Sequence, residues 1–433
     1  EGLPSRAITR DLEWGIPAPF EGAEEKTVYV WFEAVLGYIS AVKQWAQEME
    51  ADSEKFSYFW NDPESKPVYF IGKDNIIFHL IIFPGLIAAY NDGLPEEEKF
   101  VMPYNVSSTE FLNYENEKFS KSRKIGIWID EALEIAPLEY WRYNLLRNRP
   151  EKQDSNFLWD QFEKDMLELN DAIGNFIHRT LTFVHRHYDG KVPQAPTESE
   201  LDEYDKTLLE VINGAPLAVG RLMENFKLKA ALEETVAIAR EGNKYLNQKK
   251  PWKVIKGDKQ KAGYTFYHCM QLIRSLGILL EPFIPNVSEK IFEIVDLKKT
   301  KAENLWDSAS ELLVTPGLEI SKPKPLFEKL DVKEIKTKLA KLHGHTYDEE
   351  FGEEAKKKRQ ESEKKEEIQE VSFQDFQKLD IRVGTILDAE TIPDASKLLK
   401  LLVDVGFEQP ITLVAGLAKD YPSDRLMGTQ IVV

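Results

Sequence analysis

Hydrophobic and polar positions change their period along this chain, and the changes mark out its elements. Residues 27–32 (TVYVWF) have the β-branched and aromatic content of a buried strand. Residues 34–46 then carry apolar positions at helical spacing, and residues 67–71 (PVYFI) read as a second strand. The turn Gly72-Lys73-Asp74-Asn75 leads into an apolar helix through about Ala89, and a third strand is expected around residues 100–106. Strand, helix, strand, helix, strand is the rhythm of a parallel α/β sheet, whose sites lie at the carboxyl ends of its strands. That rule picks out Trp31 and the GKDN turn.

From about Trp159 to Val295 the pattern becomes long amphipathic helices, broken at Asp189-Gly190, Pro193, Pro251 and Pro282. This predicts an all-α bundle. Lys and Glu dominate residues 332–370 (KKKRQESEKKEE), as in a solvated helical or disordered linker. After it, short alternating runs separated by turn residues predict a small β-barrel. The expected organisation is an α/β domain over residues 1–155, a helical domain over 156–325, a charged linker over 326–371 and a partial β-barrel over 372–433. The chain opens without Met, in sequence that reads as mid-domain, and stops within an apparent strand at residues 430–433. Both ends are therefore expected to fall inside domains.

Composition narrows this picture in three ways. A length of 433 residues with 42% hydrophobic content suits several domains with sizeable cores. No apolar run nears the roughly 18 residues of a membrane span, and residues 1–10 lack the pattern of a signal peptide. The single cysteine, Cys269, excludes an internal disulfide framework or a thiolate zinc site in these residues, and fits a reducing cytosol. A net charge of −18 argues against indiscriminate nucleic-acid binding. Any RNA-binding face must rest on local features.

Three motifs carry chemistry. Lys118-Phe119-Ser120-Lys121-Ser122-Arg123 sets two lysines among serines in a polar loop. Such ammonium and hydroxyl groups suit a triphosphate whose charge moves towards pyrophosphate during attack at the α-phosphate; taken alone, an exposed basic loop reads equally well. Residues 30–38 (VWFEAVLGY) could be core packing, or Trp31 and Tyr38 could wall an apolar pocket that suits a flexible thioether. Residues 71–79 (IGKDNIIFH) place Asp74 five residues before His79, where a buried structural histidine is the plainer alternative. In the helical region Asn175 and Arg179 share a helix face, and Pro251-Trp252 offers a ring on which a base could stack. From spacing alone, a surface pair and a Trp packed on the bundle are the plainer reading of those positions.

Taken together, in this order and spacing, the motifs resemble methionyl-tRNA synthetase, a class I aminoacyl-tRNA synthetase of archaeal and eukaryotic style. The resemblance covers about residues 1–325 and includes residues 8–17 (ITRDLEWGIP). It implies the C-terminal half of a class I Rossmann-like domain followed by a helical anticodon-binding domain. It implies methionine-binding roles for Arg10, Trp31, Ala34, Tyr38, Asp74 and His79, with Arg10 and Asp74 as a pair at the carboxylate and amino end. Lys118 and Lys121 match the ATP-gripping catalytic lysines, with Ser120 and Ser122 in the same ATP-binding loop. Asn175, Arg179, Pro251 and Trp252 match the readers of the CAU anticodon. ATP, magnesium, methionine and tRNA are the implied ligands.

Residues 376–385 (FQKLDIRVGT), 397–401 and 414–417 resemble the OB-fold tRNA-binding module appended to such enzymes, with Arg382, Lys397 and Lys400 as its candidate RNA contacts. Some relatives dimerise through this module, so a homodimer through its complete form is implied. Acidic residues outnumber basic ones over residues 373–433, a poor footprint for tRNA.

The sequence departs from the family pattern in places. Phe119 replaces the Met of KMSKS, and Val35 and Asn75 stand where many bacterial relatives carry Pro and Ile. Lys124 occupies a position where Gly is common, which alters loop flexibility. The HIGH-type motif of the class is missing, and His343-Gly344-His345 in the charged linker reads as chance. The family's zinc-bearing insertion would lie upstream. The isolated chain is accordingly expected to be inactive in adenylate formation. A non-catalytic tRNA-binding or scaffold protein built from synthetase parts is the alternative.

Overall fold

The computed structural model describes residues 7–12, 14–48, 53–294, 305–352, 380–392, 398–417, 421 and 423–433. Its contacts form two compact units, residues 1–356 and 357–433.

The first unit opens with a short antiparallel ribbon of β1 (Thr9–Arg10) and β2 (Thr27–Val28). Helix begins at once afterwards, in α1 (Val30–Glu33), a 3₁₀ turn (Ala34–Leu36) and α2 (Gly37–Glu48). The strand expected over residues 27–32 is thus two residues long. Packing explains the difference: Val35 is buried among aromatic rings while Val30 and Trp31 stay exposed, and this outweighs the strand propensity of Val30-Trp31-Phe32.

After α3 (Ser53–Trp60), β3 (Val68–Gly72) runs parallel to β4 (Asn105–Thr109), with α4 (Phe83–Asn91) between them. The described part of the expected parallel sheet is this pair. Its core is aromatic: Trp60 and Tyr69 meet Phe83 edge-on, at ring distances of 6.3 and 5.8 Å, beside Val35, Phe78 and Ile87. Helical turns continue through Lys73–Asn91, 19 residues with mean hydropathy 1.2, long and apolar enough to cross a bilayer by those two measures. The expectation that no apolar run nears that length fails here. Phe83 and Ile87 sit in the aromatic core, Leu80, Ile81 and Tyr90 are exposed, and Lys73 and Asp74 stand in the first turn.

A second parallel pair, β5 (Leu112–Tyr114) and β6 (Ser155–Phe157), encloses α5 (Ile129–Ile135) and α6 (Leu138–Arg147). The helices then follow as α7 (Trp159–Leu169), α8 (Asn175–His187), α9 (Glu203–Glu224), α10 (Leu228–Lys249), α11 (Pro251–Val254), α12 (Lys259–Leu280) and α13 (Pro285–Ile294). Every residue of α12 from Ala262 to Leu280 is buried, as befits the central rod of a bundle. Gly242 of α10 lets the helices approach: a Cβ there would lie 2.7 Å from the side chains of Leu272 and Phe176. Phe176 is thereby seated beside Asn175.

Part of the expected linker is packed structure. In α14 (Val332–Leu342) and α15 (Tyr347–Phe351), Ile335, Leu339, Ala340 and Phe351 join the core that holds Trp159. Their helical spacing supplies an apolar stripe that the Lys and Glu content disguised. Residues 353–371 of that span lie outside the described residues.

In the second unit β7 (Val383–Thr391), β8 (Leu399–Asp404), β9 (Ile411–Ala415) and β10 (Gln430–Val432) form an antiparallel sheet in the order β10-β7-β8-β9. A bulge between Ile386 and Asp388 bends β7. Side chains of β8 alternate, with Leu399, Leu401 and Val403 inward beside Ile386 and Leu426. That alternation is the period-two pattern behind the expected barrel.

Candidate functional site

His79 lies in a π-helical turn (Phe78–Ile82) just beyond β3. Its Nδ1 is 2.9 Å from the Asn75 carbonyl, and its Nε2 is 2.8 Å from the Tyr38 hydroxyl. A carbonyl only accepts, so Nδ1 carries the proton and Nε2 accepts from Tyr38. Tyr38 also meets Tyr69 edge-on at 4.9 Å, and burial, then the neighbouring Tyr38, pushes the Tyr69 phenol up to about 12. Trp31 packs on Phe78 at 5.8 Å. Trp31 thus packs on the residue before His79; the histidine is buried and the Trp31 and Tyr38 rings are half open. Ala34 stands exposed one turn along from Trp31.

Arg10 is held elsewhere in this neighbourhood. Its guanidinium bonds the Ala7 and Thr9 carbonyls and stacks over Tyr29 at 3.6 Å, lining a small cavity with Phe32 and Phe78. Asp74 is exposed in the 3₁₀ turn Lys73–Asn75. Among the described contacts none joins Arg10 to Asp74; the backbone carbonyls and the Tyr29 ring hold the guanidinium. It is Lys73, beside Asp74, that makes ion pairs, at 2.5 Å to Glu110 and 3.0 Å to Asp154. Hydrogen bonds to Glu110 and then Asp154 raise the Lys73 ammonium above its ordinary value, while the Phe111 amide and then Lys73 lower Asp154. These bonds tie the end of β3 to the start of β6.

The lysine loop is a closed turn. Ser120 and Ile125 exchange both backbone hydrogen bonds at 2.9 Å, leaving residues 121–124 to turn between them. Lys124 takes φ +53°, the left-handed region, which explains why glycine suits this position. The Ser120 and Ser122 hydroxyls are 3.4 Å apart, and Lys118 and Lys121 are exposed. Phe119 anchors the loop, with Tyr114 at 5.9 Å and Trp128 at 6.1 Å. Gly126 passes between those rings at φ +133°.

On α8, Arg179 stacks over the Trp252 ring at 5.5 Å and bonds the Asn247 amide oxygen at 3.5 Å. Lys250 in the left-handed region (φ +45°) and Pro251 at the first position of α11 turn Trp252 into place. Arg179 and Trp252 share a cavity of about 270 Å³ with His178, Phe183, Arg186, His187 and Phe266. Asn175, at the start of α8 just after a π-helical turn (Asn170–Gly174), is exposed one turn away and is not among the lining residues. Both π turns in the described structure stand at candidate sites, where such turns often occur.

In the second unit, Arg382 is engaged by Asp380 through two 2.9 Å bonds and lies 4.4 Å over Phe407. Lys400 pairs with Glu390 at 3.2 Å. Both cations are already paired at the surface, and Lys397 lies outside the described residues. Other site neighbours escaped the sequence reading: Tyr29, Phe78, Asn247, Phe183, Arg186 and His187. For the α8 residues a signal was available, since 179, 183, 186 and 187 continue one helix face.

The profile of the family described as "tRNA synthetases class I (M)" matches residues 1–181. Those of the "Anticodon binding domain of methionyl tRNA ligase" and the "Putative tRNA binding domain" match residues 194–347 and 381–433. The fold is thus that of a class I aminoacyl-tRNA synthetase. Among relatives, the methionine–tRNA ligase of Saccharolobus solfataricus is 46% identical over 347 residues, 79% of this chain and 59% of the relative. That of Pyrococcus horikoshii is 38% identical over 470 residues, all of this chain and 64% of the relative. Within the class, this chain belongs to the methionyl-tRNA synthetase family. It spans about 60% of the length of the curated relatives it matches. A solved Mycobacterium tuberculosis methionyl-tRNA synthetase, bound by methionyl-adenylate, has the same fold at a TM-score of 0.63 and 23% identity, covering 76% of this chain and 61% of that one.

Proposed function

We propose that these residues form the downstream part of a methionine–tRNA ligase that charges tRNA bearing the CAU anticodon. The Tyr38–His79 pair, with Trp31 packed on the adjoining Phe78, carries the reading, because these rings offer a thioether aromatic surface together with one oriented hydroxyl. In the proposed first step a methionine carboxylate oxygen attacks the α-phosphorus of ATP, and the bond to the bridging oxygen breaks to release pyrophosphate. Lys118 and Lys121 neutralise the charge that gathers on the leaving group, and Ser120 and Ser122 offer hydroxyls to the phosphates. In the second step a ribose hydroxyl at the tRNA 3′ end attacks the acyl carbon, and AMP leaves. The protein contributes positioning and electrostatics. Magnesium would arrive with the nucleotide, held largely by its phosphates.

The reading places the protein in the cytosol, in line with its single buried cysteine, whose thiol burial pushes up. Pairing of two copies through a complete C-terminal module belongs to the same reading. The isolated 433 residues hold one side of the ATP site and do not form adenylate. The test is methionine-dependent ATP–pyrophosphate exchange, run on this chain and on a longer protein that contains it. Exchange by the longer protein alone is expected. Exchange by the isolated chain overturns its inactivity, and none by either favours the non-catalytic alternative.

A further inference from the structure

The cavity beside Arg179 and Trp252 continues along α8 past the residues expected to read the anticodon. Beyond Arg179 its wall is aromatic: Phe183 lies 4.3 Å from Phe266, nearly parallel, and 4.3 Å from the His187 ring. The volume of about 270 Å³ leaves room for one planar base, since a cavity of about 150 Å³ takes up benzene. At the far rim stands Arg186, exposed, with no acidic partner among the described residues. Seven residues separate it from Arg179, two turns or about 10 Å along the same face. The favourable field of a helix C-terminus accounts for a basic residue in the last turn, where His185 and His187 also stand, but not for a hollow lined with rings next to it.

We propose that Arg186 binds the backbone phosphate of a nucleotide whose base enters the cavity between Trp252 and the Phe183–His187 rings. Arg186 then positions the RNA strand while Arg179 and Trp252 discriminate the base. This rests on the anticodon-reading role of the bundle. A guanidinium grips a phosphodiester through two parallel donors and carries no sequence information of its own. A phosphate contact and a base contact differ in a measurable way: loss of the first weakens all sequences alike and lowers the salt dependence.

The experiment titrates the full chain with an RNA hairpin bearing a CAU loop and with a hairpin of altered loop sequence, over a series of KCl concentrations. Arg186→Gln should weaken both hairpins about tenfold at low salt and lower the slope of log Kd against log salt by about 0.7, one contact's share for single strands. Arg186→Lys should recover the slope and part of the affinity. Trp252→Ala, in contrast, should weaken the CAU hairpin selectively. If Arg186→Gln lowers only the melting temperature, the residue serves the helix and the proposal fails. A loss confined to the CAU hairpin also overturns it, by making Arg186 a base reader. If Trp252→Ala changes nothing while Arg186→Gln acts on both hairpins, the anticodon reading fails and the phosphate site stands.

Discussion

The Tyr38 hydroxyl donates to Nε2 of His79 at 2.8 Å, and it can do so because Nδ1 gives its own hydrogen to the Asn75 carbonyl at 2.9 Å. One backbone contact in the turn after β3 therefore fixes the tautomer of the ring and the direction of the phenol. Removing the hydroxyl leaves a buried acceptor without its donor. Tyr38→Phe should lower the unfolding free energy by about 1–2 kcal/mol in urea titrations. An unchanged midpoint would show that solvent replaces the hydroxyl at this half-open edge.

The lysine loop depends on a residue with no side chain. At Gly126 a Cβ would fall 2.3 Å from the Phe119 ring and 2.4 Å from Trp128, with a backbone φ of +133° that other residues rarely adopt. Gly126→Ala must therefore push Phe119 off its anchor, at about 1–3 kcal/mol. The expected sign is faster tryptic cleavage after Lys118, Lys121, Arg123 or Lys124, with the remaining sites unaffected. Unaltered cleavage at these four would mean that the loop is held from its other end.

Behind Trp252 lies a buried charge network. Tyr245 donates to Asp205 at 2.6 Å and stands 3.1 Å from Nδ1 of His268, while Lys249 reaches Asp205 at 2.8 Å and Asp202 at 2.6 Å. Burial pushes the Asp205 carboxyl up, but hydrogen bonds from His268, Lys249 and Tyr245 outweigh it and hold the group well below the usual carboxylate range. A depressed carboxyl stabilises the fold fully above its unfolded value of about 3.9, and that contribution fades as pH falls through the folded value. Asp205→Asn should cost about 3–5 kcal/mol at pH 7, because it leaves Lys249 without its buried partner. The gap between the two proteins should hold down to about pH 4.5 and narrow only below about pH 4. A gap that narrows already between pH 7 and 5 would assign the acid sensitivity to another group.

The sequence was most legible where local pattern and tertiary packing agree. The helices from α7 to α13 and the alternating strands of the second unit follow from period, whereas the strand expected around residues 100–106 runs instead over Asn105–Thr109. It misled where packing overruled local preference: Val30-Trp31-Phe32 reads as strand yet turns helical to bury Val35. At the site, Trp31, Tyr38 and His79 were legible as residue types at meaningful spacing, but the Tyr38–His79 bond joins positions 41 apart and no local pattern encodes it. The contacts that hold Arg10, the Tyr29 ring and two backbone carbonyls, likewise have no signal in local spacing. Lys124 was flagged only for lacking a glycine; its positive φ supplies the physical reason.

The His343-Gly344-His345 triplet, read as chance in a charged linker, contributes a buried clasp. Nδ1 of His343 is 2.8 Å from Glu350 and its Nε2 is 3.3 Å from Glu131, so both ring nitrogens face carboxylates. Glu131 also accepts from the Trp128 backbone N–H, capping α5 directly below the lysine loop. His343 therefore fastens α14 and α15 to the root of that loop. His343→Ala removes the ring that faces both carboxylates, one of them the buried Glu350, and should destabilise the first unit by about 1–3 kcal/mol in denaturant. His343→Gln keeps a side chain of hydrogen-bonding reach without the two opposed ring nitrogens and should recover only part of the loss. The same His343→Ala protein should show faster amide exchange in α14 and in residues 128–131, while α12 at the bundle core keeps its protection. Full stability in His343→Ala, or exchange that rises equally in α12, would return the triplet to the status of a solvated turn.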